Sequence, residues 1–221
     1  MVSQSISKAN RAVKISAILD RIYPDACCSL KHKNGIQLLV AVQLSAQCTD
    51  ERVNKVTESL FKKYKTAKDF AEADPEVFSE EIRSTGFFRN KTKNIISCCR
   101  MICEKYRGEL PGNLEDMLKL PGVGRKTANV VLGELFDIPG IVVDTHVIRL
   151  SNRLGLTDKA DPEKIEFELM ELLPKEKWNK FCHQLILHGR SICNARKPKC
   201  EICELRKLCV FGSENAINSK T

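Results

Sequence analysis

Apolar side chains recur along this chain mostly at helical spacing. Ile15, Ile18, Leu19 and Ile22 fall at i, i+3, i+4 and i+7, an amphipathic helix that Pro24 halts. The run Ile36 to Leu44 is apolar nearly all round and predicts a buried central helix; its length would suit a strand, but no hairpin partner follows. Further helical patterns lie around 51–64, 76–84 and 90–106. Asn113 is placed to cap a helix carrying Leu114, Met117 and Leu118, and the next helix shows Ala128, Val131, Leu132 and Leu135 on one face. Past a loop with Pro139 and Gly140, helical spacing resumes at Val143, Val147, Leu150 and Leu154, and a last long helix carries Trp178, Phe181, Cys182, Leu185 and Gly189. Ile141–Val143 is the one short β-like run, too short for a sheet. The expected fold class is therefore all-α, without repeats or low-complexity tracts.

Composition changes this picture in three ways. A length of 221 residues with 43% hydrophobic content supplies a real core and allows two small domains. A net charge of +8, from 36 basic and 28 acidic residues, favours a polyanionic partner, although many soluble basic proteins bind none. No stretch of about 18 apolar residues exists to cross a membrane, and the polar start MVSQSISKANRAVKI has no apolar signal core. An intracellular protein, cytoplasmic or nucleoid-associated, is expected. In that reducing setting the 11 cysteines should be thiols or metal ligands rather than disulfides.

Four of those cysteines stand apart. Cys193, Cys200, Cys203 and Cys209 have the spacing C-x6-C-x2-C-x5-C on a segment without periodicity, which cannot bury a core of its own and calls for a metal as tether. Tetrahedral zinc accepts four thiolates; one C-x2-C pair flanked by longer arms also suits a [4Fe–4S] cubane. Spacing alone leaves both open. Cys27, Cys28, Cys48, Cys98, Cys99, Cys103 and Cys182 lack ligand-like spacing and read as small core hydrophobes. Between the first two ligands, Arg196, Lys197 and Lys199 sit on a loop pinned at both ends, either poised for phosphates or simply solvated.

Between two amphipathic helices lies Leu120-Pro121-Gly122-Val123-Gly124, followed by Arg125 and Lys126. Glycines permit a tight turn and a close approach of ligand to backbone. The helix start behind them offers N–H groups and a positive dipole end to a phosphate. Lys126 is about 200° from the apolar stripe and should face away from the core. As a nucleophile it must lose a proton from an ammonium whose free pKa is about 10.4. Asp144 opens the helix Thr145-His146-Val147 and is a natural N-cap, a role compatible with catalysis because it fixes the carboxylate. His146 and His188 are each equally consistent with a structural role, and no function is assigned to them.

These motifs together resemble the endonuclease III family. LPGVGRKTANVVLGELF and VVDTHVIRLSNRLGL resemble its helix–hairpin–helix and Gly/Pro…Asp region, HGRSICNARKPKCEICELRKLC its [4Fe–4S] loop, and LSAQCTDERVNK and STGFFRNKTKNI further parts of its pattern. The likeness runs from about residue 10 to 210. It implies two helical domains flanking a DNA-binding cleft: a six-helix domain at 28–138, and a second made of 1–27 with 139–221 that carries the cluster. By position, Lys126 matches the lysine nucleophile and Asp144 the catalytic aspartate. Gln47 matches the residue that fills the gap left by an extruded base. Phe87 stands where the family often has leucine as a second wedge. Gly122, Val123, Gly124 and Arg125, with Arg196, Lys197 and Lys199, are the expected phosphate contacts, and Cys193, Cys200, Cys203 and Cys209 the cluster ligands.

The implied activity is that of a monomeric bifunctional DNA glycosylase and abasic-site lyase of base excision repair. It would take oxidised pyrimidines from duplex DNA and cleave 3′ to the abasic site through a lysine Schiff base. The competing readings are a mismatch-directed glycosylase of the same superfamily, a non-catalytic DNA-binding iron–sulfur module, and an iron–sulfur electron carrier. Lys126 and Asp144 together argue against the binding module, and the hairpin against the electron carrier.

Overall fold

The computed structural model describes residues 7–213 and is all-α, with eleven α-helices and no strand among them. The chain divides into two compact units: Cys28–Ile138, and a second built from the residues up to Cys27 and from Pro139 onward.

The unit Cys28–Ile138 holds α2 (Gly35–Leu44), α3 (Asp50–Lys63), α4 (Ala67–Ala71), α5 (Pro75–Glu81), α6 (Phe88–Tyr106), α7 (Leu114–Lys119) and α8 (Arg125–Leu135). Its centre is α2, whose residues from Ile36 to Leu44 are all buried. A helix apolar on every face needs neighbours on every side, and α2 packs on α3, α6 and α8. Seven helical segments appear where the resemblance implies six; α4 is a five-residue turn closed by a Thr66–Asp69 capping box. The second unit holds α1 (Lys8–Ile22), α9 (Thr145–Arg153), α10 (Pro162–Leu172) and α11 (Trp178–Ser191). Its α11 packs on both α1 and α9. At Gly189 a Cβ would come 2.7 Å from His146 Nδ1 and 3.0 Å from Arg149 Nη2, so a larger residue would displace these α9 side chains where they meet α11. Ile141–Val143 is buried irregular chain leading into α9, not a strand.

Most helices begin as their sequences dictate. Ser7, Asn34, Thr49, Asp74, Asn113, Asp144 and Asp161 each accept a backbone N–H from the first turn of the helix they precede. Three helices differ: α6 starts from Phe87, α8 from Gly124 and α11 from Lys177, and none of these starts has a side-chain cap.

Candidate functional site

In the unit Cys28–Ile138, the hairpin between α7 and α8 turns at Gly122, whose φ of +72° favours glycine. A Cβ at Gly122 would also lie 2.8 Å from the Asn94 side chain on α6, so the turn rests directly on that helix. Gln43 on α2 donates 2.9 Å to the Pro121 carbonyl, a second tie between hairpin and scaffold. Gly122 and Gly124 are exposed, with open space around a Cβ at Gly124. Val123 behaves differently from its neighbours: its side chain is in the core and its amide donates to the Leu120 carbonyl at 3.1 Å. Its side chain shapes the turn. Arg125 is half-buried and Lys126 is exposed in the first turn of α8, facing away from the apolar stripe of Ala128, Val131 and Leu132.

Two further expected residues of this unit share an unusual backbone. Gln47 has φ +53° and Phe87 φ +48°, the left-handed region that non-glycine residues seldom occupy. Gln47 sits in the turn between α2 and α3 with its side chain exposed; Phe87 precedes α6 and is 62% exposed. An exposed phenylalanine in a strained conformation adds nothing to the core, and such strain concentrates at binding sites. Lys91, which no sequence pattern singles out, is buried close to both segments.

In the other unit, Asp144 caps α9 through one oxygen: Oδ1 accepts His146 N at 2.8 Å and Val147 N at 2.8 Å. The carboxylate is therefore fixed in place and half-buried. His146 touches Arg149 Nη2 at 3.1 Å, and burial pulls its pKa below the usual imidazole value. His188 is buried, which lowers its pKa too, and sits 3.4 Å from Cys203 Sγ through Nε2 and 3.2 Å from Tyr23 Oη through Nδ1.

Cys193, Cys200, Cys203 and Cys209 line one pocket at the end of α11. N–H groups already point at its sulfurs: Arg153 Nη1 lies 3.3 Å from Cys193 Sγ and Gly212 N 3.3 Å from Cys209 Sγ. Donors of this kind suit thiolate ligands. Burial raises the Cys203 thiol to about 11 and lifts Cys200 and Cys209 as well, so cationic charge must replace their protons before they ionise. Four cysteines around one pocket, with N–H groups at two of the sulfurs, form a donor set that a thiolate-ligated ion or cluster can accept.

The cationic loop is held from below. Arg153 donates 2.8 Å to the Asn194 carbonyl and 2.9 Å to the Ala195 carbonyl, while Arg149 reaches the Cys193 carbonyl at 3.0 Å. Arg196, Lys197 and Lys199 are exposed, and Lys197 takes a φ of +51°. Sequence reasoning missed Arg149 and Arg153, whose spacing of four residues on α9 was the available signal.

Comparison with known proteins adds identity to this geometry. Residues 40–175 match the family described as HhH-GPD superfamily base excision DNA repair protein. The chain is 53% identical over 210 residues to an endonuclease III of Synechocystis sp., covering 95% of this chain and 96% of that protein. Among solved structures it is similar to a non-covalent complex of endonuclease III with DNA (44% identity, TM-score 0.91, 95% of this chain and 98% of that one). It is equally similar to a trapped covalent intermediate of endonuclease III with DNA (44% identity, TM-score 0.90, 94% and 98%).

Proposed function

This chain belongs to the HhH-GPD superfamily of base excision DNA repair proteins and, within it, to the endonuclease III family, and from that premise we propose that Lys126 is the nucleophile and Asp144 the catalytic carboxylate. The protein is a bifunctional DNA glycosylase and abasic-site lyase of base excision repair. Oxidised pyrimidines are the lesion class we assign to it. The observation that carries the reading is an exposed lysine at the uncapped start of α8, directly behind a glycine hairpin.

A base stacked in a duplex is out of reach, so the nucleotide is extruded at a cost of a few kcal/mol, least for a poorly stacked lesion. Gln47 and Phe87 fill the space it leaves. The hairpin backbone, Arg125 and the cations Arg196, Lys197 and Lys199 hold phosphates. The neutral Lys126 amine bonds to the sugar C1′ as the C1′–N bond breaks, and the base departs with that electron pair and takes up a proton. Loss of the amine's proton and opening of the C1′–O4′ bond, with O4′ protonated, give a protonated Schiff base. That iminium acidifies the C2′ proton. Its removal expels the 3′ phosphate with the C3′–O electron pair, so the strand is cut 3′ to the site. Asp144, immobilised by its two backbone bonds, stabilises positive charge on the sugar and assists proton transfer.

A [4Fe–4S] cluster on Cys193, Cys200, Cys203 and Cys209 would supply the cross-link that orders the loop between them and holds its cations outward. The reaction on chromosomal DNA would place the protein with the nucleoid.

Borohydride trapping tests the assignment. A duplex with one thymine glycol should give a covalent protein–DNA adduct that vanishes in Lys126→Ala. Base release without any adduct would remove Lys126 from the chemistry.

A further inference from the structure

Lys91, on the first turn of α6, is only 7% exposed. Lysine is rarely buried unless its ammonium is satisfied. Here Nζ donates 2.8 Å to the Leu44 carbonyl and 2.8 Å to the Thr85 carbonyl. Leu44 is the last residue of α2, so its carbonyl is one that the helix leaves without an internal partner, at the negative end of the dipole. Thr85 closes the 3-10 turn Arg83–Thr85. Just beyond each carbonyl the chain enters the left-handed region, at Gln47 after Leu44 and at Phe87 after Thr85. Such conformations persist only where the surroundings over-determine them. The two segments are far apart in sequence, and one buried cation grips both, three residues before Gln47 and two before Phe87.

We propose that Lys91 is a positioning residue that fastens the Leu44–Gln47 and Thr85–Phe87 segments together, so that both gap-filling side chains are presented as one preorganised pair. Tetrahedral ammonium geometry serves this purpose, because it can aim separate N–H groups at two carbonyls from different segments. A neutral side chain of the same length would leave both carbonyls buried without that donor and release the segments from each other. The proposal rests on the gap-filling roles assigned to Gln47 and Phe87.

The experiment compares Lys91→Met, Lys91→Arg, the double variant Gln47→Ala/Phe87→Ala, and that double variant with Lys91→Met added. Each is assayed in single turnover on a thymine glycol duplex and on a single-stranded abasic oligonucleotide, where no vacated space needs filling. Lys91→Met should slow base release from the duplex roughly tenfold to a hundredfold, the loss expected from a small misplacement away from the chemistry. On the single strand it should keep the wild-type lyase rate. Lys91→Arg, whose planar fork cannot reproduce both bonds, should show the same split at smaller size, and it carries the comparison if Lys91→Met does not fold. Added to the double variant, Lys91→Met should cost nothing more, since residues acting as a unit are non-additive. Equal slowing on both substrates, or full additivity, overturns the proposal in favour of a general packing role. A double variant slowed on the duplex while Lys91→Met is not overturns the Lys91 proposal alone. A double variant with the wild-type duplex rate removes the gap-filling roles themselves, and the Lys91 proposal with them.

Discussion

At the scale of single residues, capping and chemistry can be separated at Asp144. Its Oδ1 accepts two amides of α9, and asparagine caps a helix about as well as aspartate. Asp144→Asn should therefore leave stability within about 0.5 kcal/mol while base release falls by roughly a hundredfold or more, as loss of a charge aimed at the transition state does. Thermal melts and single-turnover rates on one preparation check this; parallel losses would make Asp144 merely structural. A carboxylate just before a helix is a local pattern that the sequence shows as a cap at Asp144, whereas the chemical roles proposed for Asp144 and Lys126 come from the family resemblance, because a cation behind G-x-G is by itself an ordinary surface pattern. The sequence could not disclose Lys91, which in FFRNKTKNI looks like any lysine of a basic stretch. Its burial arises from two carbonyls brought in from Leu44 and Thr85, and only the tertiary structure supplies them. Arg149 and Arg153 were hidden for the same reason, since their partners are backbone atoms around Cys193 to Ala195.

Among the elements, hydrophobic spacing identified α1, α2, α3, α5, α6, α8, α9 and α11, and together with the Asn113 cap α7 as well. It missed α4, which is too short to show a period, and α10, whose start is nonetheless written in Asp161-Pro162: Asp161 accepts from Lys164 N at 2.9 Å and Pro162 takes the first turn. The hairpin's two exposed glycines now separate by their surroundings. Gly122→Ala meets both a positive φ and the Asn94 side chain at 2.8 Å, so it should cost about 1–2 kcal/mol of stability and weaken duplex binding. Gly124→Ala finds open space and should lose affinity with less stability, because its methyl occupies room that a phosphate needs. Calorimetric melts with duplex titrations distinguish the two, and equal melting losses would contradict the assignment. Helices α1 and α11 are joined at Asp20, which accepts Lys177 Nζ at 2.8 Å and Gln184 Nε2 at 2.9 Å. Although burial opposes it, these bonds hold the Asp20 carboxyl below the usual carboxylate range. A carboxyl depressed on folding stabilises above its unfolded pKa, and that stability is lost as pH falls through the folded value. Asp20→Asn should thus cost about 1 kcal/mol near neutrality and progressively less in acid, as melts from pH 7 down to strong acid would show. A constant cost across that range would mean that the charge contributes nothing.

For the molecule as a whole, a net charge of +8 is a weak guide until the structure shows which cations are presented for binding. Many exposed cations have carboxylate partners: Lys63 holds Glu81 at 2.8 Å, and Lys119 bridges Glu115 and Asp116. Arg196, Lys197 and Lys199 project from a loop whose backbone Arg149 and Arg153 hold. A protein that neutralises a phosphate releases a counterion, so removing one such cation should lower the slope of log affinity against log salt by about one. Replacing all three loop cations by alanine should therefore reduce the slope by about three on any duplex, damaged or not. The proper control removes the same charge elsewhere. Lys62, Lys63 and Lys65 lie at the end of α3 away from the Gln47 turn, roughly 20 Å along the helix. Their replacement lowers the net charge equally and should leave the slope almost unchanged. If both triple variants shift it alike, the long-range field of the protein binds DNA, and the loop is no more than a part of that field. If only the first does, the loop touches phosphate, and the thiolate pocket has a use that the bond-breaking steps do not reveal: it fixes three cations where the backbone of the substrate will pass.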